Sequence, residues 1–140
     1  SAAIQEPVAW IRMPTMKVGG STRVDCAELA RFLQDFDSGH AFVELVGSMP
    51  GPGVASMFTF GHAAGSVMGV LAAMCIPVTL VTPQRWKKAA GLIGTDKDAA
   101  RSRAIQLWPR WHALGKKGEG QALADAALIA KYGIQTGGGR

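Results

Sequence analysis

Residues 41–84 read AFVELVGSMPGPGVASMFTFGHAAGSVMGVLAAMCIPVTLVTPQ, and after Glu44 they contain no Asp, Glu, Lys or Arg. Glu44 therefore closes an apolar run and opens an uncharged tract of forty residues. A carboxylate buried in such surroundings must be paired, protonated or bound to a cation. The local sequence leaves two alternatives open for Glu44, a metal ligand at the end of a strand or an exposed residue just beyond one.

The same tract predicts one long helix between two strands. Residues 41–46 predict a short apolar strand, and the Pro-Gly-rich residues 49–53 predict a turn. A helix is expected from about 54 to 74. Residues 77–81 are β-branched and continuously apolar, which is typical of a strand in a sheet covered on both faces.

The absence of charge raises the alternative of a membrane span over residues 63–82. Pro77 divides that stretch and leaves roughly 14 residues of helix, short of the ~20 needed to cross a bilayer. We therefore expect a helix and a strand of a folded domain, and no membrane partner. Gly61, Gly65 and Gly69 share one face of the helix, which would seat it closely on a sheet or on a partner subunit.

The rest of the chain predicts an alternation of strands and helices. The expected elements are a strand at 7–13, a loop at 17–22 and helices at 25–36, 96–108 and 122–132. Thr22 or Asp25 would cap the first of these helices, Thr95 would cap the second, and Gly133 would end the last. The order β-α-β-α-β-α-α indicates an α/β fold. We expect a single domain over residues 1–135 with a flexible tail at 136–140.

Charge is distributed unevenly along the chain. Residues 1–84 contain four Lys and Arg against six Asp and Glu, whereas residues 85–140 contain eleven against four. This asymmetry favours a polyanionic partner, of which nucleic acid is the commonest. The alternative is that these residues are solvated helix faces.

The two cysteines indicate the redox environment. Cys26 and Cys75 stand in unlike contexts, which favours two buried free thiols over a disulfide or a metal pair. The first residues have neither the basic start nor the apolar run of a signal peptide. We therefore expect a cytoplasmic protein.

An ordered set of motifs resembles the RuvC-type Holliday-junction resolvases, and most closely their short phage and prophage forms. The motifs are Val43-Glu44, Met49-Pro-Gly-Pro-Gly-Val, Ser56-Met-Phe-Thr-Phe-Gly, Gly65, Pro77-Val, Val81-Thr-Pro, Trp86-Lys-Lys, Asp96-Lys97-Asp98 and Ala124-Asp125-Ala126. The resemblance implies a ribonuclease-H-like fold with a central mixed sheet flanked by helices. It also implies a homodimer that cleaves four-way or branched DNA with Mg²⁺, or Mn²⁺ as a substitute, in a bacterial or phage-infected cell.

The resemblance also implies which carboxylates hold the metal. Glu44 is similar to the family's central-strand carboxylate, and Asp125 to the acidic residue of its last helix. The alternative for Asp125 is an ordinary surface residue of an Ala-rich helix. Glu119 is a candidate third ligand only if residues 118–120 are loop, because on a continuous helix it stands ~240° from Asp125.

The family has one further acidic residue, an Asp on its first strand in an Asp-Pro-Gly-like turn. No Asp precedes Asp25 here, so we expect the first strand to be missing from this chain, which would then be an incomplete form. Two functions therefore stay open. One is a structure-selective endonuclease, and the other is a junction-binding or architectural protein with an incomplete site that does not cut.

Basic residues are expected to meet the DNA backbone. The resemblance implies lysines near the scissile phosphate, for which Lys97 is the sharper match, with Lys87 or Lys88 also at family positions. Lys97 would stabilise charge that develops at the phosphorus centre. Arg85 and Arg101 are interpreted as phosphate contacts, which give affinity without sequence information.

Aromatic residues have two interpretations. The resemblance implies that Phe58 or Phe60, which follow the Gly-Pro-Gly turn, stack on bases at the junction. Burial in the core is the alternative for either of them. Trp86, Trp108 and Trp111 are interpreted as packing residues.

Overall fold

The protein was studied as a computed structural model, which describes residues 5–45 and 53–137. Its elements are β1 (Thr15–Val18), β2 (Ser21–Val24), α1 (Cys26–Gln34), β3 (Ala41–Glu44), α2 (Val54–Ala73), β4 (Val78–Val81), α3 (Pro83–Ala90), α4 (Ala99–Leu107), a 3₁₀ helix (His112–Gly115) and α5 (Lys117–Gln135). The chain divides into two compact units. The hairpin unit comprises residues 11–41 and 45–79, and the carboxylate unit comprises the chain up to Trp10, Phe42–Glu44 and the chain from Leu80 onward.

The hairpin unit begins with two antiparallel strands. Thr15 pairs with Val24 and Val18 with Ser21, so only Gly19 and Gly20 connect β1 to β2. Both glycines have positive φ, 55° and 83°, the backbone that a two-residue type I′ hairpin turn requires. The predicted loop at 17–22 is therefore wrong, because the Gly-Gly pair is the tip of a hairpin.

The predicted strand at 7–13 is also wrong. These residues form no regular strand, and the first strand starts only after Pro14. Pro14 lacks a backbone N–H, but its carbonyl accepts a hydrogen bond of 2.8 Å from the N–H of Asp25. That bond lies one pair beyond the ladder of β1 and β2.

Helix α1 confirms one of the two alternative caps. The side chain of Asp25 accepts a hydrogen bond of 3.2 Å from the backbone N–H of Glu28. Leu29 of α1 is buried against Val24 of β2 and Val70 of α2. These three side chains are the buried members of the core cluster of the hairpin unit, and partly buried side chains such as Leu33 and Val67 pack against them.

Helix α2 matches its predicted bounds to within one residue at the end. A methyl group added at Gly61, Gly65 or Gly69 would meet no atom of the described residues within 4 Å. Within the described chain the glycine face is thus open, and the predicted seating on a sheet is not found there. By length and composition alone, α2 satisfies the requirements for a membrane-crossing helix, which is weak evidence from a single helix.

The second sheet contains β3 and β4, which pair with each other. The described residues thus form two two-stranded sheets rather than one larger one. Strand β3 ends at Glu44, earlier than predicted. Val46 and most of the predicted turn at 49–53 lie outside the described residues.

Helix α3 was not predicted, although its signals are present. The Thr82 side chain accepts a hydrogen bond of 3.4 Å from the N–H of Arg85, and Pro83 occupies the first turn. Gly91, with φ of 73°, ends the helix in the left-handed conformation. A capping Thr, an early Pro and a terminal Gly together are a full set of helix boundary signals.

Helices α4 and α5 differ from their predicted bounds. The cap of α4 is Asp98 rather than Thr95. Gly133 does not end α5, which continues to Gln135. Gly133 is instead buried where the ring of Phe42 lies against its backbone, so it is a site of close packing between α5 and β3.

The core of the carboxylate unit is larger than that of the hairpin unit. Its buried members are Val81, Trp86, Leu92, Ala100, Ala104, Trp108, Leu114, Leu123, Ala124, Leu128 and Ile129. The two cysteines lie outside both cores. Cys26 and Cys75 are free but exposed, so the expectation that they are buried is wrong.

Candidate active site

Two carboxylates meet in the carboxylate unit. Glu44 is the last residue of β3 and Asp125 lies in the middle of α5, and both are partly buried. Burial raises the pKa of Asp125, the negative charge of Glu44 raises it further, and the Lys87 ammonium opposes both effects. The two acids are thus close enough to repel each other in a partly dehydrated setting.

Trp86 connects this pair to the core. Its indole N–H donates a hydrogen bond of 2.9 Å to Oε2 of Glu44, and its side chain is almost wholly buried, with 1% exposed. The prediction that Trp86 serves packing is therefore incomplete. The alternative that Glu44 is an exposed residue just beyond a strand is wrong, because Glu44 is the last residue of β3, is partly buried and accepts a hydrogen bond from a buried donor.

Among the predicted lysines, Lys87 is the one whose charge acts on Asp125. Its Nζ lies 5.6 Å from the centroid of the Trp86 ring, and its charge acts on Asp125. Arg85 and Lys88 lie on the same helix α3 and are exposed. These predicted DNA contacts thus stand on the element that carries Trp86.

Lys97 lies in the turn before α4 and is exposed. Its backbone carbonyl accepts a hydrogen bond of 3.3 Å from the side-chain amide of Gln121. Gln121 and Asp125 are four residues apart in α5, so they share a face of that helix. The Lys97 loop is therefore tied to α5 one turn before Asp125.

Glu119 does not join the acidic pair. Helix α5 begins at Lys117, so Glu119 is already helical and stands on a different face from Asp125, ~240° around the axis. Within residues 5–45 and 53–137, no group of three His, Cys, Asp or Glu side chains is arranged to hold a metal. The condition for Glu119 as a third ligand, a loop at 118–120, is not met.

Arg101 has structural partners. Its guanidinium donates to both carboxylate oxygens of Asp98, at 2.8 and 3.1 Å, and to the carbonyl of Leu114 at 3.1 Å. These hydrogen bonds hold the pKa of Asp98 below its usual range. The arrangement favours a role for Arg101 in joining α4 to the 3₁₀ helix over contact with a phosphate.

Phe58 and Phe60 belong to the hairpin unit, on α2, and are 61% and 53% exposed. The alternative that either is a core residue is not supported. The Arg23 guanidinium lies 5.5 Å from the centroid of the Phe58 ring. An exposed ring beside a guanidinium suits stacking on a base next to a phosphate.

The donor set of the acidic pair suits a hard divalent cation. Two carboxylates supply the oxygen ligands that Mg²⁺ prefers, and Mg²⁺ usually keeps several waters and needs only one or two carboxylates. Two acids that repel each other at a partly buried site are stabilised by a cation. The residues present therefore fit a Mg²⁺ site held by Glu44 and Asp125.

Comparisons with known proteins bear on this site. No protein-family profile matches the chain. The chloroplastic Holliday junction resolvase MOC1 of Chlamydomonas reinhardtii is 31% identical over 96 residues, which are 68% of this chain and 11% of that protein. The T. thermophilus RuvC solved in complex with a Holliday junction substrate matches with a TM-score of 0.59 and 20% identity, over 80% of this chain and 66% of that one.

The resemblance to RuvC-type resolvases is confirmed. The structural likeness establishes that the fold is ribonuclease-H-like, as predicted. The chain spans about a tenth of the length of MOC1 (11%). The likeness to MOC1 is one of sequence, whereas the likeness to RuvC, at 20% identity, is one of fold.

Sequence reasoning missed one contact of the candidate site, and it ranked Lys87 below Lys97. The hydrogen bond from Trp86 to Glu44 joins residues 42 positions apart, and no local pattern signals it. The preference for Lys97 over Lys87 as the lysine near the acids came from motif likeness alone. The adjacency of Trp86 and Lys87 was visible, but its meaning depends on where α3 packs.

Proposed function

We propose that this protein is a metal-dependent endonuclease that resolves four-way or other branched DNA junctions by phosphodiester hydrolysis. The observation that carries the proposal is the acidic pair of Glu44 and Asp125, with Lys87 beside it, on a ribonuclease-H-like fold. The names of the two matched proteins, a Holliday junction resolvase and RuvC bound to a junction, support the same substrate class.

Glu44 and Asp125 would hold Mg²⁺, for which Mn²⁺ is a substitute. The metal would supply an activated water and stabilise the leaving oxygen of the scissile bond. The chain's own part is to present both carboxylates to the cation, and the Lys87 ammonium opposes the rise in the pKa of Asp125 that burial and Glu44 cause. Lys87 and Lys97 would balance charge that accumulates on the phosphate oxygens.

The surrounding basic residues would bind the DNA backbone. Arg85 and Lys88 are exposed on α3, and phosphate contacts of this kind give affinity that falls with salt. Phe58 and Phe60 would stack on bases opened at the branch point. Such contacts select a distorted junction over a fully stacked duplex.

We also propose that the protein is a homodimer in the cytoplasm. The open glycine face of α2 and its exposed apolar side chains support a partner subunit on this helix. Monomeric proteins rarely leave a large contiguous apolar patch uncovered. Sedimentation analysis at several concentrations tests the dimer directly.

The test of the nuclease proposal separates cutting from binding. A labelled synthetic four-way junction is incubated with the full-length protein in Mg²⁺ to measure cleavage, and in Ca²⁺ to measure binding. We expect paired nicks in Mg²⁺ and retention of binding in Ca²⁺. Glu44→Gln should abolish cleavage and preserve binding.

The matched control is Glu28→Gln, which removes one exposed carboxylate that pairs only with Arg31 one turn away. It should leave both cleavage and binding unchanged. Undiminished cutting by Glu44→Gln would remove that residue from the site. Loss of cutting in both variants would show only that charge removal harms the protein.

A junction-binding protein that does not cut is the second candidate. The described residues bring together two carboxylates and no third metal ligand, which favours this alternative. Tight binding to the junction without cleavage by the full-length protein, in Mg²⁺ and in Mn²⁺, would establish it.

A further inference from the structure

One buried ring contacts two of the charged groups of the candidate site. The Trp86 N–H donates to Oε2 of Glu44 at 2.9 Å, while the Lys87 Nζ lies 5.6 Å from the centroid of the same ring. An aromatic ring has a negative face and a positive edge, so its face attracts a cation and its N–H an anion. Trp86 is therefore suited to hold the two opposite charges at different positions.

The ring itself is held in place by the fold. Trp86 is 1% exposed and lies in the largest core of the protein, beside Val81 and Leu128. It stands one turn after the Thr82 cap of α3, and its backbone N–H donates a hydrogen bond to the Thr82 carbonyl. Because the core holds the indole in one position, the Glu44 carboxylate orients toward the indole N–H and not the reverse.

Resting on the nuclease function proposed above, we propose that Trp86 is a positioning residue of the active site. Its N–H fixes the carboxylate of Glu44, and its face seats Lys87 near Asp125. A carboxylate has about four acceptor sites, so one N–H leaves the others for a cation. An indole N–H only donates, so it holds the carboxylate oxygen without competing for the metal.

The matched pair of variants is Trp86→Phe and Trp108→Phe. Trp108 is also buried, at 3% exposed, belongs to the same core, and donates its N–H to the carbonyl of Gln5 at 3.0 Å. Both substitutions remove the same atoms and one partly buried hydrogen bond. Only the first one removes a contact with Glu44.

We expect Trp86→Phe to lower the rate of junction cleavage by about 10–100-fold relative to Trp108→Phe, as for partners that orient metal ligands elsewhere. It should also raise the Mg²⁺ concentration needed for half-maximal cleavage. Melting temperature and junction binding in Ca²⁺ should be similar in the two variants. Equal cleavage by the two variants would overturn the inference.

A second measurement does not depend on whether Trp86→Phe folds. The chain has four tryptophans, each giving one indole N–H resonance in a ¹⁵N-correlated NMR spectrum. Glu44→Gln should shift the Trp86 resonance, because a bond to an ionised acceptor is stronger than one to an amide. The Trp108 resonance should stay in place, and an unmoved Trp86 resonance would overturn the inference.

The two proposals fail in distinguishable ways. If the wild-type protein does not cleave the junction, the proposed nuclease function is wrong, and so is the positioning role of Trp86 that rests on it. If the wild type cleaves and Mn²⁺ broadens the Trp86 resonance, the metal site stands. In that case, cleavage by Trp86→Phe equal to that by Trp108→Phe overturns the role of Trp86 alone.

Discussion

The carboxylate unit and the hairpin unit differ in which groups they hold in an unfavourable environment: acids in the first and apolar side chains in the second. The carboxylate unit partly buries two acids that repel each other, Glu44 and Asp125, beside a core of eleven buried side chains. Among the described residues, the core cluster of the hairpin unit has three buried members, and large apolar side chains such as Phe58 are exposed on α2. Each unit thus retains a feature that costs stability and that the function proposed above would use.

The repulsion between acids in the carboxylate unit and the exposed apolar surface of the hairpin unit are relieved in different ways. Repulsion between partly buried acids is relieved by a cation or by protonation. Exposed apolar surface is relieved by a partner that covers it. Each remedy can be tested by changing one unit while the other serves as reference.

The largest effect is expected from Asp125→Asn. Loss of a metal ligand should lower junction cleavage by more than about a thousandfold, since metal stabilisation of the transition state is worth several kcal/mol. Activity is measured under single-turnover conditions in Mg²⁺. The control is Asp37→Asn, which changes an exposed acid of the hairpin unit and should leave cleavage intact.

The same variant should become more stable at neutral pH. The folded state raises the pKa of Asp125 and so binds its proton more tightly than the unfolded chain does. The stability of the wild type therefore falls as pH rises from the ordinary aspartate range through the raised pKa. Asp125→Asn should melt higher than wild type at pH 7, and the difference should vanish in acid. A lower melting temperature at pH 7 would contradict the electrostatic argument.

A pair of glycine substitutions compares packing in the two units. Gly133→Ala places a methyl group on the ring of Phe42 and should destabilise the fold by about 1–3 kcal/mol, the usual cost of overpacking. Gly69→Ala meets no described atom and should stabilise α2 by roughly 0.5–1 kcal/mol. Urea unfolding at a concentration where the protein is monomeric measures both.

The sign of the Gly69→Ala effect is informative by itself. A gain in stability confirms that this face of α2 is open in the monomer. A loss of stability would mean that something covers the glycine face, and would contradict the contrast between the two units.

A smaller effect is expected on DNA binding from Phe58→Ala. Base stacking is worth ~1–3 kcal/mol, and we expect the lower end because Arg23 already covers part of the ring. Junction affinity in Ca²⁺ is measured by fluorescence anisotropy. Met57→Ala, which truncates a neighbouring exposed apolar side chain, should change affinity less. Equal losses would indicate general apolar contact instead of stacking.

The smallest effect separates two basic residues of the carboxylate unit. Lys88→Ala should weaken junction binding modestly and reduce the slope of log affinity against log salt by about 1, as for one lost phosphate contact. Arg101→Met should leave this slope unchanged but lower the melting temperature, because Arg101 is bonded to Asp98 and Leu114. If Arg101→Met reduced the slope of log affinity against log salt, Arg101 would be a DNA contact as the sequence analysis predicted.

Local patterns predicted the elements that depend on neighbouring residues. The long helix α2, the Asp25 cap of α1 and the strand that ends near Glu44 all follow from periodicity, capping chemistry and hydrophobicity. The hairpin at Gly19-Gly20 and helix α3 had equally local signals that were not used. Their omission was an error of interpretation and not a limit of the sequence.

Other features depend on groups far apart in the chain. Gly133 was expected to end a helix, and only its packing against Phe42 explains why the helix continues past it. Likewise, the helical start at Lys117 turns Glu119 away from Asp125. A side chain's neighbours across the fold decide such cases, since one-dimensional patterns carry no information on which faces meet.

The sequence by itself predicted the resemblance to RuvC-type resolvases, the candidate carboxylates Glu44 and Asp125 and the basic character of the second half, because motif order and charge are properties of the chain. Tertiary structure alone decided that Trp86 donates to Glu44 and that Lys87 acts on Asp125. Both interactions require α3 to pack against β3 and α5, which brings together residues about forty positions apart. The physical reason is that hydrogen bonds and dehydrated charges act over a few ångströms of space, whatever their separation in sequence.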